Sequence, residues 1–459
     1  MIKTVKISGR IFREYDIRGV WGEDLNEGAV YAIGRAFACC LRERFPEAAR
    51  PSVTIGRDAR MSSPAMLEHL ARALVESGID VIDIGVCPTP LQYFSLFRLP
   101  VQGGLMITAS HNPAEYNGLK LSLGTETIYG EKIQLIKRYI EEGRTVDGSG
   151  RLSERQIIPD YAAYMRGQFG ELRGIKAVLD AGNGVAGVVA PALFEALGAE
   201  TTLLYCDPDG RFPNHHPDPV VVENIKDLIQ TVKSSKADLG IGYDGDGDRI
   251  GVVDGDGEVI WGDRLLVLFA RELLSRRPGA VIIGEVKCSQ CLYDDIEAHG
   301  GKPVMWKTGH SLIKSKMRES GALLAGEMSG HIFFQDRYFG YDDAIYASLR
   351  LMEALKKNGP PYSIKRLLGG LPRLHATPEI RMECPDERKF AVVELIKEQM
   401  RREHPIIDID GVRVVYPEGW GLVRASNTQP ALVLRFEAKT EGSLEKIRAD
   451  LEEKLGKLL

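Results

Sequence analysis

Apolar positions in the first third of the chain fall in short unbroken runs, separated by amphipathic stretches that end in glycine. Residues 52–56 predict a strand, 64–75 a helix with proline in its first turn, Gly78 its stop and 81–84 the next strand. The same order returns at 176–179, a glycine-rich loop, a helix ending at Leu197, Gly198 and 202–205. It returns again at 281–283, 292–299, Gly300-Gly301 and 303–306. The strands lack polar–apolar alternation, as expected where helices cover both faces of a sheet. Three copies at domain spacing predict three similar mixed α/β domains in series and are too far apart for a solenoid. The tail reads differently. A helix at 390–400, a strand-rich stretch over 406–437 broken by Asp410-Gly411, Pro417 and Gly419, and a helix at 443–458 predict a smaller α+β domain with antiparallel strands. Residues 142–150 and Asn358-Gly359-Pro360-Pro361 read as linkers.

A chain of 459 residues, 44% hydrophobic and 27% charged, is ordinary globular material with room for several cores. Its net charge of −5 excludes a general basic footprint for nucleic acid or membrane and leaves local sites for small anions open. No run approaches the ~18 apolar residues of a membrane span. Met1 to Lys6 lead into no apolar signal core. Seven cysteines, an odd and small number, make no disulfide framework, so a cytoplasmic location is expected. Cys288-Ser289-Gln290-Cys291 has no second pair and reads as half-buried helix rather than a zinc site.

Five segments can carry chemistry. Thr108-Ala109-Ser110-His111-Asn112-Pro113 follows the apolar run 104–107, so it lies where ligands collect, beyond the carboxyl end of a strand. Ser110 needs a neighbouring base or metal to act as a nucleophile. His111 is not automatically that base, since adjacent side chains usually diverge, and a plain capped turn is the alternative. Asp244-Gly245-Asp246-Gly247-Asp248-Arg249 follows strand 239–243. Its three alternate carboxylates face one side and would repel without a hard cation. An EF-hand is excluded by Arg249 and Gly255 at its glycine and glutamate places; Mg²⁺ suits the set better than Ca²⁺, because three ligands leave room for water and phosphate. Asp254-Gly255-Asp256-Gly257 reads as a hairpin turn.

Gly182-Asn183-Gly184-Val185-Ala186-Gly187, with Asp207 beyond the next strand, matches the dinucleotide fingerprint and raises the rival of a dinucleotide-dependent oxidoreductase. Gly326-Glu327-Met328-Ser329-Gly330-His331 offers a carboxylate, a hydroxyl and an imidazole suited to sugar hydroxyls; an extended loop would put Glu327 and Ser329 on one side. Arg424-Ala425-Ser426-Asn427-Thr428 combines a guanidinium, hydroxyls and an amide, a phosphate-holding set. Both also read as simple polar loops. Tyr15, Arg18, Lys120, Lys287 and His310 are lesser candidates, and a non-catalytic metal- or sugar-binding protein is a further rival.

The order of these segments resembles the four-domain α-D-phosphohexomutase superfamily nearly end to end. Tyr15-Asp16-Ile17-Arg18-Gly19, Gly56-Arg57-Asp58 and Phe212-Pro213-Asn214-His215-His216-Pro217 join the resemblance. Met328 and His331 make it most similar to the phosphomannomutase/phosphoglucomutase branch; a phosphoglucosamine mutase more typically carries Gln at the position of Met328. The resemblance implies domains over 1–150, 151–256, 257–368 and 369–459, bearing the phosphoserine, metal, sugar and phosphate loops in turn. It implies an isomerase that interconverts hexose 1-phosphate and hexose 6-phosphate through a phosphoserine and a hexose 1,6-bisphosphate, which also serves as primer. Ser110 would carry the phosphoryl group, Asp244, Asp246 and Asp248 would hold Mg²⁺ with it, and Arg249 would neutralise the transferring group. Glu327 and Ser329 would bind hydroxyls, and Arg424, Ser426, Asn427 and Thr428 the distal phosphate, with Tyr15, Lys287 and His310 also at the substrate. Lys120, His331 and Arg18 are candidates for proton transfer. The expected partners are phosphosugars, with no nucleic acid or membrane, and monomer and dimer both stay open.

Overall fold

The computed structural model describes residues 7–427 and 429–459; the first six residues, where the absence of a signal core is read, and Thr428 lie outside them. The chain forms two compact units, one running up to Leu265 and including Ser329–Leu367, the other comprising Leu266–Met328 and Leu368–Leu459.

In the first unit, strand Ser52–Arg57 lies between the parallel strands Asp80–Val86 and Gly103–Ile107. Tyr116–Leu123 continues the sheet antiparallel to Gly103–Ile107, and Ile17–Val20 follows it. Gly103–Ile107 is buried along its whole length, which explains its unbroken apolar run. Helices Glu27–Arg44 and Ser63–Glu76 supply Val30, Ile33, Phe37, Leu70 and Leu74 to a core with Val53, Ile55, Leu105 and Ile107. Each of these larger side chains contributes about 1.5–3 kcal/mol of burial. Beyond 142–150 the chain first returns to this sheet, where Leu152–Glu154 pairs with Asp80–Val86. A second sheet repeats the order: Lys176–Asp180 lies between the parallel strands Glu200–Leu204 and Leu239–Tyr243, and Ile250–Asp254 runs antiparallel to the latter. Asp254 to Gly257 form the expected hairpin turn, with Asp254 Oδ1 accepting from the Asp256 and Glu258 amides.

The second unit carries the third copy, Val281–Glu285 between the parallel strands Lys302–Trp306 and Leu324–Gly326. It also holds the α+β tail, in which Val412–Tyr416, Gly419–Ala425 and Ala431–Ala438 are antiparallel neighbours. Helices Asp386–Arg401 and Glu441–Gly456 cover this sheet through Val392, Ile396, Met400, Ile447 and Leu451. Three α/β copies followed by an α+β domain are the architecture the periodicity predicts. In the tail, two strands, His375–Ala376 and Ile380–Glu383, escape that reading: they are short, and only Ile380 and Met382 face inward on an otherwise charged or exposed segment. Strand Glu200–Leu204 starts two residues before its predicted position because it is an exposed edge with little apolar signal.

Candidate active site

In the first unit the loops after Gly103–Ile107 and Leu239–Tyr243 meet beyond the carboxyl ends of their strands. Ser110 stands at φ 50, in the left-handed region that a residue with a Cβ seldom occupies. Its amide donates to Thr108 Oγ1 at 2.8 Å. The Arg60 guanidinium, paired with Asp58 and wholly buried, donates to the carbonyls of Ser110, Asn112, Pro113 and Tyr116. That grip holds the loop in a conformation costing about 1–3 kcal/mol of strain.

Asp244, Asp246 and Asp248 are fully buried, and one carboxylate oxygen from each lies within 4.8 Å of the others. Ser110 Oγ donates to Asp244 Oδ2 at 2.7 Å, and Asp244 Oδ1 accepts from the amides of Asp248 and Arg249. Thr89 donates to Asp246 Oδ2 through its hydroxyl and to the Asp246 carbonyl through its amide. Gly245 is required between the first two aspartates, since a Cβ there would lie 2.5 Å from the Ser110 carbonyl oxygen. The buried Lys120 ammonium donates to Asp246 Oδ2 at 2.8 Å and to Asp248 Oδ2. Burial, then Asp248 and Asp246, push the Asp244 carboxyl well up. Burial also opposes charge on Asp246, but the Lys120 ammonium and its hydrogen bond, with that of Thr89, hold this carboxyl below the ordinary carboxylate range. Burial works against the charge of Lys120 too, yet Asp246 and Asp248 outweigh it and hold its pKa well above the usual lysine value.

These residues fit a divalent cation. Asp246 Oδ1 and Asp248 Oδ1 are buried with no hydrogen-bond partner, a state that costs about 1–3 kcal/mol or more per group in the absence of a counter-charge. The donors, three carboxylates and the Ser110 hydroxyl, are all oxygen, as Mg²⁺ prefers.

Arg249 Nε donates to His331 Nε2 at 2.8 Å, and the backbones of the two residues form a bridge. His331 Nδ1 lies 2.9 Å from Asp342 Oδ2 and 3.6 Å from Asp248 Oδ1. Arg18 Nη1 donates to Asn112 Oδ1 at 2.7 Å and Nη2 to Asp16, so it braces the serine loop, and the buried Tyr15 precedes that pair. His111 departs from expectation: its Nδ1 is 3.2 Å from Ser110 Oγ, because the left-handed backbone at Ser110 turns the neighbouring side chains toward each other. Burial, then Arg249 and Arg18, hold the His111 pKa well below the usual histidine value, so its ring is neutral.

In the second unit a buried carboxylate, Glu285, ties three loops. It accepts from the Lys287 amide, the Thr308 hydroxyl and the Met328 amide. Lys287 Nζ donates to Glu379 at 3.0 Å; burial works to lower its pKa, but Glu285 and Glu379 overcome this and hold it raised. Glu327 Oε1 accepts from the Gly309 amide, immediately before the buried His310 that opens helix His310–Ser320. Arg424 Nε donates to Asp410 Oδ2, which also accepts from the Thr308 amide. Ser426 Oγ accepts from the Gln429 amide, with Asn427 next to it. Lys287, His310, Glu327 and Arg424 are thus linked through Glu285 and Asp410. Ser329 belongs to the first unit and is half-buried, and Thr428 lies outside the described residues.

Arg60, Thr89, Glu285 and Asp410 were not legible in the sequence, since each holds another residue by hydrogen bonds and belongs to no chemical motif. The clearest available signal was Asp58-Ala59-Arg60, charged residues directly after an apolar strand. The turn from Gly182 uses its glycine spacing for packing: a Cβ on Gly184 would lie 2.8 Å from the carbonyl oxygen of Gly245 in the aspartate loop.

The family description "Phosphoglucomutase/phosphomannomutase, alpha/beta/alpha domain I" matches residues 9–147; domain II matches 160–257, domain III 261–372 and the C-terminal domain 379–454. The chain is 48% identical over 447 residues to a phosphomannomutase/phosphoglucomutase of Pseudomonas aeruginosa, covering 97% of this chain and 95% of that one. It is 44% identical over 447 residues to a phosphoglucomutase of Neisseria meningitidis serogroup A, with 96% of each covered. A crystal structure of a phosphoglucomutase/phosphomannomutase family protein from Burkholderia thailandensis superposes with a TM-score of 0.91 at 43% identity, covering 98% of each chain.

Proposed function

The chain belongs to the phosphoglucomutase/phosphomannomutase family, and we propose that it is an isomerase interconverting the 1- and 6-phosphates of mannose, glucose or both. The observation that carries this reading is the 2.7 Å hydrogen bond from Ser110 Oγ to Asp244, which puts a nucleophilic oxygen against the buried carboxylate trio.

Ser110 carries the phosphoryl group. In the first half-reaction O6 of a hexose 1-phosphate attacks that phosphorus, the P–Oγ bond breaks and the O6–P bond forms. The resulting 1,6-bisphosphate turns over, the O1–P bond breaks as the Oγ–P bond to Ser110 forms, and the proton taken from O6 is returned to O1. Such transfer asks for in-line positioning and charge neutralisation more than for covalent help. Mg²⁺, held by Asp244, Asp246, Asp248 and the Ser110 oxygen, supplies positive charge at the transferring group when bound. Arg249 adds a second cation.

The attacking hydroxyl must lose its proton. Arg18 cannot accept one, as a guanidinium stays charged in proteins. Lys120 is locked as ammonium between two carboxylates. His331 carries an acceptor nitrogen, Nε2, that faces Arg249 and is the group suited to the task. On the family resemblance, Glu327 and Ser329 are the residues for ring hydroxyls. The same resemblance assigns Arg424, Ser426, Asn427 and Thr428 to the unreacting phosphate and Lys287, His310 and Tyr15 to the substrate. Glucose and mannose differ only at C2, so a grip on the other hydroxyls accepts both.

A coupled assay for glucose 6-phosphate from glucose 1-phosphate, with and without bisphosphate primer, tests the reading, together with the mannose pair. Intact mass is expected to show one phosphate, lost in Ser110→Ala. A chain that converts neither sugar in the presence of primer and Mg²⁺ overturns it.

A further inference from the structure

We propose that Asp342 is a positioning residue for phosphoryl transfer, its carboxylate holding His331 as the Nδ1–H tautomer with Nε2 left as the acceptor nitrogen. The inference rests on the mutase reading for its catalytic consequence but not for its geometry. Arg249 presents an N–H to His331 Nε2 at 2.8 Å, which requires a lone pair there. The ring proton therefore sits on Nδ1, whose nearest carboxylate oxygens are Asp342 Oδ2 at 2.9 Å and Asp248 Oδ1 at 3.6 Å, ion-pair distances at which the Asp342 carboxylate acts on the ring by its charge rather than through an aligned hydrogen bond. The opposite tautomer would set two N–H groups against each other at Nε2 and a nitrogen lone pair against two carboxylates at Nδ1. Which ring nitrogen carries the proton is set by the partner of the other, and a buried carboxylate is a strong partner.

Asp342 has the rigidity for this role. It is fully buried, and its backbone bridges to Phe333 two residues beyond His331. The next residue, Asp343, caps helix Ala344–Asn358 by accepting from the Tyr346 amide at 2.8 Å and also takes the hydroxyls of Tyr161 and Tyr338. Capping thus falls to Asp343, which leaves the Asp342 side chain to face the imidazole.

The test uses the full-length, Mg²⁺-loaded chain with ¹⁵N-labelled histidine. In the unaltered protein the His331 signals, assigned by their loss in His331→Asn, are expected to show a protonated Nδ1 and a bare Nε2. Asp342→Asn is isosteric, and its amide can turn an N–H toward Nδ1. It is expected to move the proton toward Nε2 and to lower kcat at least thirtyfold, with KM within about twofold and the melting temperature nearly unchanged. Asp342→Ala is expected to lower kcat with a mixed tautomer. A protonated Nε2 in the unaltered protein overturns the proposal, and so does an Asp342→Asn variant that keeps the original tautomer or turns over within threefold of it. The tautomer reading needs no turnover. A chain without mutase activity would refute the function while the spectra still decide the role of Asp342.

Discussion

Gly245→Ala tests the union of the serine and aspartate loops with a single methyl group. The added Cβ would lie 2.5 Å from the Ser110 carbonyl oxygen and 3.3 Å from Pro217 Cγ. A carbon–oxygen approach settles at about 3.3 Å or more, so the loops must part by roughly 0.8 Å. Neither side gives easily. Arg60 pins the Ser110 carbonyl at 2.8 Å, and the Gly245 carbonyl accepts from the Val185 amide at 3.1 Å. Overpacking of this kind costs about 1–3 kcal/mol. The displacement falls directly on the Ser110–Asp244 hydrogen bond, and misplacing reacting atoms by about 1 Å costs on the order of 100-fold in rate. The coupled glucose 1-phosphate assay is expected to show kcat down by about 30- to 100-fold with KM little changed, because the displacement falls on the reacting loops and not on the segments proposed to bind the sugar. Calorimetry should show a fall of a few degrees. A variant with kcat within twofold of the parent would refute the claim that these loops must touch.

Three further perturbations separate the roles of the surrounding charges. Arg60→Ala leaves the carbonyls of Ser110, Asn112, Pro113 and Tyr116 without their shared donor and Asp58 without its partner; about 3–5 kcal/mol of stability is expected to go, read by denaturant titration, along with most of kcat. Lys120→Met leaves Asp246 and Asp248 uncompensated, so the melting temperature in EDTA should drop sharply, and Mg²⁺ should restore more of it than it adds to the parent; an equal gain in both proteins would refute the pairing. Burial lifts the Asp343 carboxyl from 3.8 to about 6, so the folded chain keeps a proton that the unfolded chain gives up between those values. Its contribution is whole below the lower value and lost as pH rises through the upper one, about 3 kcal/mol in all. Asp343→Asn, neutral throughout, should therefore gain in melting temperature relative to the parent from pH 4 to pH 7, and parallel pH profiles would contradict the assignment.

The repeated strand–helix–strand copies were readable because both-face burial writes long apolar runs, as in Gly103–Ile107 and Leu239–Tyr243. Edge strands were read less well, Ile380–Glu383 not at all and Glu200–Leu204 two residues late, since both bury only part of their side chains. At the site, serine and the three aspartates were legible because their chemistry is unusual at that spacing. What the sequence left unread is long-range. Nothing near Arg60 announces that it will bind four carbonyls fifty or more positions away, and nothing near Lys120 points to carboxylates at 246 and 248. The contact of His111 with Ser110 was hidden for a local reason, the left-handed backbone at Ser110, which no residue-type rule anticipates.

Charge balance explains why a strained serine stands beside three buried acids. With Ser110 unmodified, its hydroxyl is a donor to Asp244, and Lys120 answers Asp246 and Asp248. The same burial that raises Asp244 would make a fully ionised trio costly. Phosphorylation removes the serine O–H and brings a charge of about −1.5 to −2 to the acceptor it used to satisfy. Lys120 and Arg249 together cannot offset both the trio and that group, whereas a divalent ion held by the aspartates would add the missing positive charge. On the proposed reaction the lysine and the metal would therefore serve different states of one serine: Lys120 would keep the aspartate loop folded with the phosphoryl group on the sugar, and the cation would answer the charge with that group on Ser110. A relay that hands PO₃ back and forth needs both states to be comparable in energy, and a site built on either counter-charge alone would favour one of them.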